Sequence, residues 1–316
     1  MRTMLRTLVI CTAMVAAMLP ATSASAQPTD AQLALRWAPI HYQDTDSSDY
    51  DADYLSRVDF DGDWDAQNNW EHQDDSLSQL NAVVYYSVTE TSTHWFILYA
   101  FYHPRDWSDI PDPFNLYTHE NDMEGVLMTV RRDGSTYGTL QAMVTVAHTD
   151  FYSYTPLGSP FTNGREDIDG RVVFHVHLGA NHPTTFQEAK GHGVYRWDGG
   201  SFPGGDGVVY FPSSSGVSEV PSSGNDRAVA YRLVSIFATG GLWARRNNTA
   251  TFSSFGTFRG DNGADNAANA PWGWDDSDDG SDLQRGRLAL EPARLVSIYF
   301  GNEAPFALTY TRYFYN

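Results

Sequence analysis

Cysteine is almost absent from this chain: the single one, Cys11, lies in an apolar N-terminal run. A disulfide framework is therefore excluded, and so is a cysteine nucleophile. Basic residues are scarce as well, with 20 Lys and Arg against 39 Asp and Glu, for a net charge of −19. That balance argues against nucleic acid or an anionic membrane surface as partner, because both need a basic footprint. Long apolar runs are missing too. Residues 8–19 are too short to span a bilayer and nothing later is longer, so no transmembrane segment is expected. Also lacking are a Gly-x-Ser-x-Gly elbow, a glycine-rich phosphate loop and a His-Glu-x-x-His helix, which removes the commonest hydrolase and nucleotide-binding readings.

What is present begins with an export signal. Arg2 and Arg6 precede the apolar run, and Ala24-Ser25-Ala26 gives the small-x-small pattern ahead of Gln27. Residues 1–26 read as a signal peptide, and residues 27–316 as one secreted domain, extracellular or periplasmic. Loss of the signal removes two arginines and no acid, taking the charge from −19 to −21. About 290 residues bury enough surface for a core without disulfides, and the chain is taken as a monomer.

Aromatics make up 14% of the chain, and 26 glycines and 15 prolines favour short strands and many turns. Strands are expected at residues 81–88, 95–102, 125–131, 141–147, 171–178, 193–197, 207–211, 295–300 and 307–314. Each is rich in Val, Ile, Tyr, Phe or Thr and bounded by turn residues. Helices are expected only at 29–37 and at 226–237, the second capped by Asn225 or Asp226. The Ser/Gly-rich stretch 213–224 and the acidic stretch 261–282 read as long loops. The fold class is mostly β: a single β-sandwich of antiparallel sheets with long loops and a few short helices.

The chemistry concentrates between residues 94 and 125. A strand ending at Pro104 places Asp106 just beyond a sheet edge, and His119, Asp122 and Glu124 follow at spacings of three and two. In a strand, Asp122 and Glu124 share a face, and His119 joins them from the preceding turn. Three carboxylates beside an imidazole repel one another unless something positive sits between them, and a divalent ion removes that cost. Oxygen-rich ligation suits Mg²⁺, Mn²⁺ or Ca²⁺ better than Zn²⁺. The bland reading of the same residues is a solvated acidic loop.

The stretch Tyr99-Ala100-Phe101-Tyr102-His103-Pro104-Arg105-Asp106 resembles the YAWYFPKD segment of the necrosis- and ethylene-inducing-like protein family. His119-Glu120-Asn121-Asp122-Met123-Glu124 is similar to the family's GHRHDWE heptad at the spaced His, Asp and Glu. The resemblance implies that Asp106, His119, Asp122 and Glu124 surround a divalent cation in an acidic cavity at one end of a β-sandwich. By the same match His148 lines that cavity, and the activity implied is cytolytic. Thr118, Glu120, Asn121 and Met123 depart from the heptad, and the match is good over about residues 82–150. A looser similarity, carried by Arg36 to His41, His182-Pro183 and Gly191-His192-Gly193, is to the vacuolar protein sorting-associated protein 62 family.

Other clusters have two readings each. Asp59, Asp61, Asp63 and Asp65 alternate as in calcium loops, yet the EF-hand order is absent, so they form either a second calcium site or a turn capped by Asp side chains. The acidic run from Asp275 to Asp282 invites the same pair of readings. His175, His177, His182 and His192 read as a zinc or acid–base cluster, or as satisfied core histidines, with His192 between glycines the one of most interest. Trp272 and Trp274 are either an exposed platform for a ligand ring or a cover folded over the sheet edge. Three functions remain: a binding protein using a divalent ion to recognise a glycolipid or carbohydrate ligand, a metal-dependent hydrolase of phosphoesters or glycans with Glu124 or His148 moving the proton, or a secreted structural protein with a structural ion.

Overall fold

A computed structural model describes residues 27–75, 77–111, 117–278, 280, 283–301 and 304–316. The expected signal peptide, residues 1–26, lies outside the described residues, as do Asp279, Ser281 and Asp282 of the second acidic run.

The helices are α1 (Asp30–Trp37), α2 (Asn69–Asp75), α3 (Arg287–Leu290) and α4 (Pro292–Tyr299). The strands are β1 (Ile40–Asp44), β2 (Val83–Thr91), β3 (His94–Asp106), β4 (His119–Arg131), β5 (Thr139–Ala147), β6 (Asp150–Thr155), β7 (Thr162–Asn163), β8 (Ile168–Arg171) and β9 (Phe174–His177). They continue as β10 (Ala180–Gln187), β11 (Val194–Arg196), β12 (Gly207–Pro212), β13 (Val229–Ser235), β14 (Phe252–Ser254), β15 (Thr257–Phe258), β16 (Phe300–Gly301) and β17 (Tyr310–Arg312).

The expected sandwich of antiparallel sheets is not what forms. One mixed sheet runs in the order β11-β10-β1-β12-β13-β2-β3-β4-β5-β6-β8, with β17 added beside β2 and β9 beside β10. Four of its pairings are parallel: β1 with β10, β12 with β13, β13 with β2, and β6 with β8. The sheet curls into a half-barrel, which brings β11, at one end of the path, back against β4 and β5. Strand-forming residues are visible locally, but the pairing is not. Ile40 pairs with Thr184, far along the chain, and no local pattern marks that partnership.

Two element types also differ from expectation. Residues 226–237 carry a strand, β13, rather than a helix. Asp226 does not cap a helix; its side chain accepts from Ser222 N and Ala228 N and turns the chain into β13, where Val229 and Tyr231 are buried. Residues 295–300 are mostly helix. Pro292 starts α4 with its φ already set, and Leu295, Val296 and Tyr299 bury one helical face.

The expected helix at 29–37 forms as α1. Thr29 and Gln32 make a reciprocal capping box, and Leu33, Ala34 and Trp37 face the core. The Tyr99 hydroxyl donates to Ala34 O at 2.7 Å, fastening α1 across β3. The β3–β4 ladder is the spine of the sheet, and nearly every residue along it is buried. Gly125 permits its closest approach: a Cβ there would stand 2.1 Å from Tyr99 O and 2.7 Å from the Trp274 ring.

Candidate metal centre

The ends of β3 and β4 build the site. Asp106 pairs with His119, His103 with Asp122, and Phe101 with Glu124. Asp106 therefore closes the strand instead of lying past it. Between these pairs Pro104, which has no N–H to give, stands opposite Asn121, whose φ is 61°. Strict alternation would place His119 on the face opposite Asp122 and Glu124. The left-handed turn at Asn121 resets the phase, so all three reach the same side. Asn121 is held in that conformation from every direction. Its Oδ1 accepts from Tyr102 Oη at 2.6 Å and Asn69 Nδ2 at 2.8 Å, and its Nδ2 donates to Ala66 O and Arg259 O.

Asp106, His119, Asp122 and Glu124 line one cavity of about 830 Å³, together with His148, Glu188 and Lys190. His119 Nδ1 donates to Asn121 O at 2.9 Å, which fixes that proton, since a carbonyl can only accept. Nε2 then faces Asp106 Oδ2 at 3.2 Å. A nitrogen lone pair and a carboxylate oxygen repel at that distance, so a positive species must lie there, either a second proton or a cation. As it stands, burial opposes the charge on His119, but Asp106 and then Asp122 outweigh it and hold the pKa up at about 9. Burial raises the Asp106 carboxyl against the pull of His119. Glu124 is pushed well above the usual carboxylate range by burial and by neighbouring Asp122. Its two oxygens accept from His148 N and Val194 N.

Behind the cavity wall His192 is fully buried between two carboxylates. Its Nδ1 lies 3.2 Å from Asp122 Oδ2 and its Nε2 3.1 Å from Asp53 Oδ1. Both partners can only accept, so His192 carries both protons; burial opposes this, and the two carboxylates hold its pKa up to about 10. Asp53 also accepts from Trp107 Nε1, Lys190 N and Asp46 N. The ring stacks on His103 at 3.8 Å, and burial drives that second imidazole well below its usual pKa, leaving it neutral. The glycines flanking His192 lie against two side-chain tips of the cavity wall. A Cβ on Gly191 would stand 2.9 Å from His148 Cε1, and one on Gly193 2.8 Å from Glu188 Oε1.

The donor set suits a hard divalent ion. It offers carboxylate oxygens plus one imidazole whose far nitrogen is already oriented by a carbonyl. Oδ1 of Asp106 and Oδ1 of Asp122 accept no hydrogen bond among the described residues. The four side chains nevertheless do not close on a point: no three of their ligand atoms lie within 4.8 Å of one another, because each leans on its own partner. Among the described residues, the carboxylates that do meet that spacing are Asp49, Asp51 and Asp74, a group that could hold a metal ion. Arg105 already stands beside it, 3.0 Å from Asp49 and 3.0 Å from Asp74. Sequence reading passed over this group and Asp53, although Asp49-Tyr50-Asp51-Ala52-Asp53 shows the same alternation as the downstream run that it singled out.

That downstream run is built as turns. Asp61, Asp63 and Asp65 accept from the backbone N–H two residues on, Asp59 pairs with Arg57, and Asp61 also bonds His72. Of the histidines, His175 bonds the Tyr42 hydroxyl, His177 meets Pro212 O and His182 meets Ala38 O, all apart from His192. The tryptophans are not an exposed platform. Trp272 is 1% exposed and packed on Trp243 and Phe252, while Trp274 is 3% exposed and donates to Met123 O and Asn269 O. Aromatic surface without a partner in the loop is better buried, and only Trp274 shows an edge to the cavity. His148, half-exposed at φ 58°, does line it, with Nε2 2.6 Å from Glu188 Oε1.

A curled mixed sheet with an acidic, histidine-bearing cavity at the ends of its central strands defines a cavity-type β protein. Residues 54–203, just under half of the chain, match the family described as Necrosis inducing protein (NPP1), to which the chain is similar as a divergent sequence. Among solved structures, it is similar to the non-toxic HaNLP3 protein at 14% identity, covering 66% of this chain and 76% of that one, with a TM-score of 0.31. Necrosis and Ethylene inducing Protein 2 from the causal agent of cocoa's Witches Broom disease matches at 14% over 71% and 81%, TM-score 0.35. NLPPya in complex with mannosamine matches at 16% over 78% and 87%, TM-score 0.34. No curated protein matches the chain. The looser similarity to the vacuolar protein sorting-associated protein 62 family finds no support in these matches. No helix among the described residues is long and apolar enough to cross a membrane.

Proposed function

We propose that the chain is exported and binds one divalent cation, Mg²⁺, Mn²⁺ or Ca²⁺, through Asp106, His119, Asp122 and Glu124, and that it uses the loaded cavity to hold the sugar head group of a membrane lipid. The observation that carries this reading is the convergence of those four side chains on one cavity, achieved by the phase reset at Asn121. When bound, the ion supplies a Lewis-acidic centre that sugar hydroxyls can coordinate. The chain's own residues do the rest. His192 holds Asp122 from behind, and His148 and Lys190 offer donors at the rim.

The test is calorimetric titration of each ion into chelator-treated protein, beside Asp122→Asn and Asp106→Asn. Saturation near one ion per chain, weakened at least about tenfold in both variants, supports the reading. Equal binding by all three proteins, or none, overturns it. A second reading, metal-dependent hydrolysis, is favoured by His148, whose ion pair with Glu188 at the cavity edge suits proton transfer. Chelator-sensitive turnover of a phosphodiester or a glycan, lost in His148→Gln, would select it.

A further inference from the structure

A second concavity lies at the open lip of the curled sheet, where β11 comes back over β6 and β8. It encloses about 440 Å³ and shares no lining residue with the acidic cavity. Tyr152 on β6 and Tyr195 on β11 form its walls, ring centres 5.1 Å apart and inclined at 52°, an open angle and not a closed stack. Its far wall is Trp197, fixed by a parallel stack on Tyr42 at 4.3 Å and by Phe186 and Phe202. The aromatic surface is therefore rigid and set before anything binds.

Three polar side chains edge this aromatic surface. Arg196 lies across Gly170, where a Cβ would stand 2.7 Å from its Nε, so the glycine is what lets the guanidinium lie in the groove. In a chain with about twice as many acids as bases, Arg196 makes no side-chain hydrogen bond or ion pair among the described residues. Asp169 uses Oδ2 on Ser153 N and Asp198 uses Oδ1 on Gly200 N, and each keeps its other oxygen for a ligand.

We propose that this lip binds the ring of a neutral pyranose within an oligosaccharide. Ring faces that take apolar C–H surface, one fork of donors and two acceptors are what alternating axial C–H and equatorial hydroxyl groups require. A polyanionic sugar is opposed by Asp169, Asp198 and the net charge of −19. A cationic group is attracted by Asp169 and Asp198 but offers the Arg196 guanidinium no acceptor. A neutral polyol satisfies all three side chains at once, and the site works without any ion in the acidic cavity.

The experiment titrates cellohexaose, laminarihexaose and mannohexaose into the protein with EDTA present, following intrinsic fluorescence and heat, with hexagalacturonate as the charged comparison. Expected is saturable binding of at least one neutral hexaose, weakened about tenfold or more in Arg196→Gln and in Tyr195→Ala. Asp106→Asn should bind as the unaltered protein does. Melting curves of Arg196→Gln, a surface change, exclude unfolding as the cause of a loss. The proposal is overturned if no neutral hexaose binds at millimolar concentration, if hexagalacturonate binds more tightly than all three, or if Asp106→Asn loses binding while Arg196→Gln keeps it.

Discussion

At the scale of single residues, two side chains set the candidate centre without lining it. Asn121 puts His119 in phase with Asp122 and Glu124, and four hydrogen bonds keep it there. Asn121→Ala strands the Tyr102 hydroxyl without its acceptor, takes one of two acceptors from Asn69 Nδ2 and forces an alanine to φ 61°. Urea unfolding should show a loss of about 2–4 kcal/mol. Asn121→Gly loses the same hydrogen bonds but tolerates the backbone, so it should lie about 1 kcal/mol above the alanine variant. His192 acts as a buried counter-ion. His192→Asn keeps a residue at home in the left-handed region while removing the charge between Asp53 and Asp122. It should cost about 3 kcal/mol or more, and adding Asp122→Asn should return part of that loss. If the double variant is no more stable than the single, the two groups are not coupled.

Elements differ in how much of themselves they declare in sequence. The β3–β4 spine was legible because two long runs of aromatic and branched residues meet at spaced carboxylates. The four expected ligands and His148 could be placed around one cavity for the same reason. The α1 helix was legible as an opening helix at 29–37, and the capping box the structure adds makes a plain prediction: Thr29→Ala should lower stability by about 1 kcal/mol in chemical unfolding. By contrast α4 is rich in Leu, Val, Ile and Tyr, which resemble a strand by composition, and only the spacing of Pro292, Leu295, Val296 and Tyr299 betrays a helix. The strand β13 was hidden by Asp226, which reads equally as a helix cap or as a turn. Sheet order could not be read at all, because parallel neighbours such as β1 and β10 meet only after the chain between them has folded. His192 and Asp53, distant in sequence, meet for the same reason, so their pairing left no local mark.

For the whole molecule, the curled sheet also buries a histidine among neutral partners. His41 is fully buried against Thr185 and Gln187, stacked on Phe101 at 4.0 Å, and burial pushes its pKa down to about 3. In the unfolded chain the same group titrates near 6.5. Between those values the unfolded state binds the extra proton, so stability is full above pH 6.5 and falls as pH drops, by up to about 1.4 kcal/mol per pH unit from this group. Measured from pH 7 to 4, the unfolding free energy of the unaltered protein should fall more steeply, or rise less, with falling pH than that of His41→Gln, by about one proton in slope. An unchanged slope in that variant would mean that His41 is protonated in the folded protein.

Lys190 stands at the cavity rim, its amine 2.9 Å from Asp46 and 2.9 Å from Asp109 and lying over the Trp107 ring. It is also the only lysine in the chain. Amine-directed chemistry, which scatters over most proteins, therefore has a single side-chain address here. A fluorophore or a cross-linker aimed at lysine would land beside the candidate centre on every molecule, and its rate of attachment would record whether the rim is open or covered.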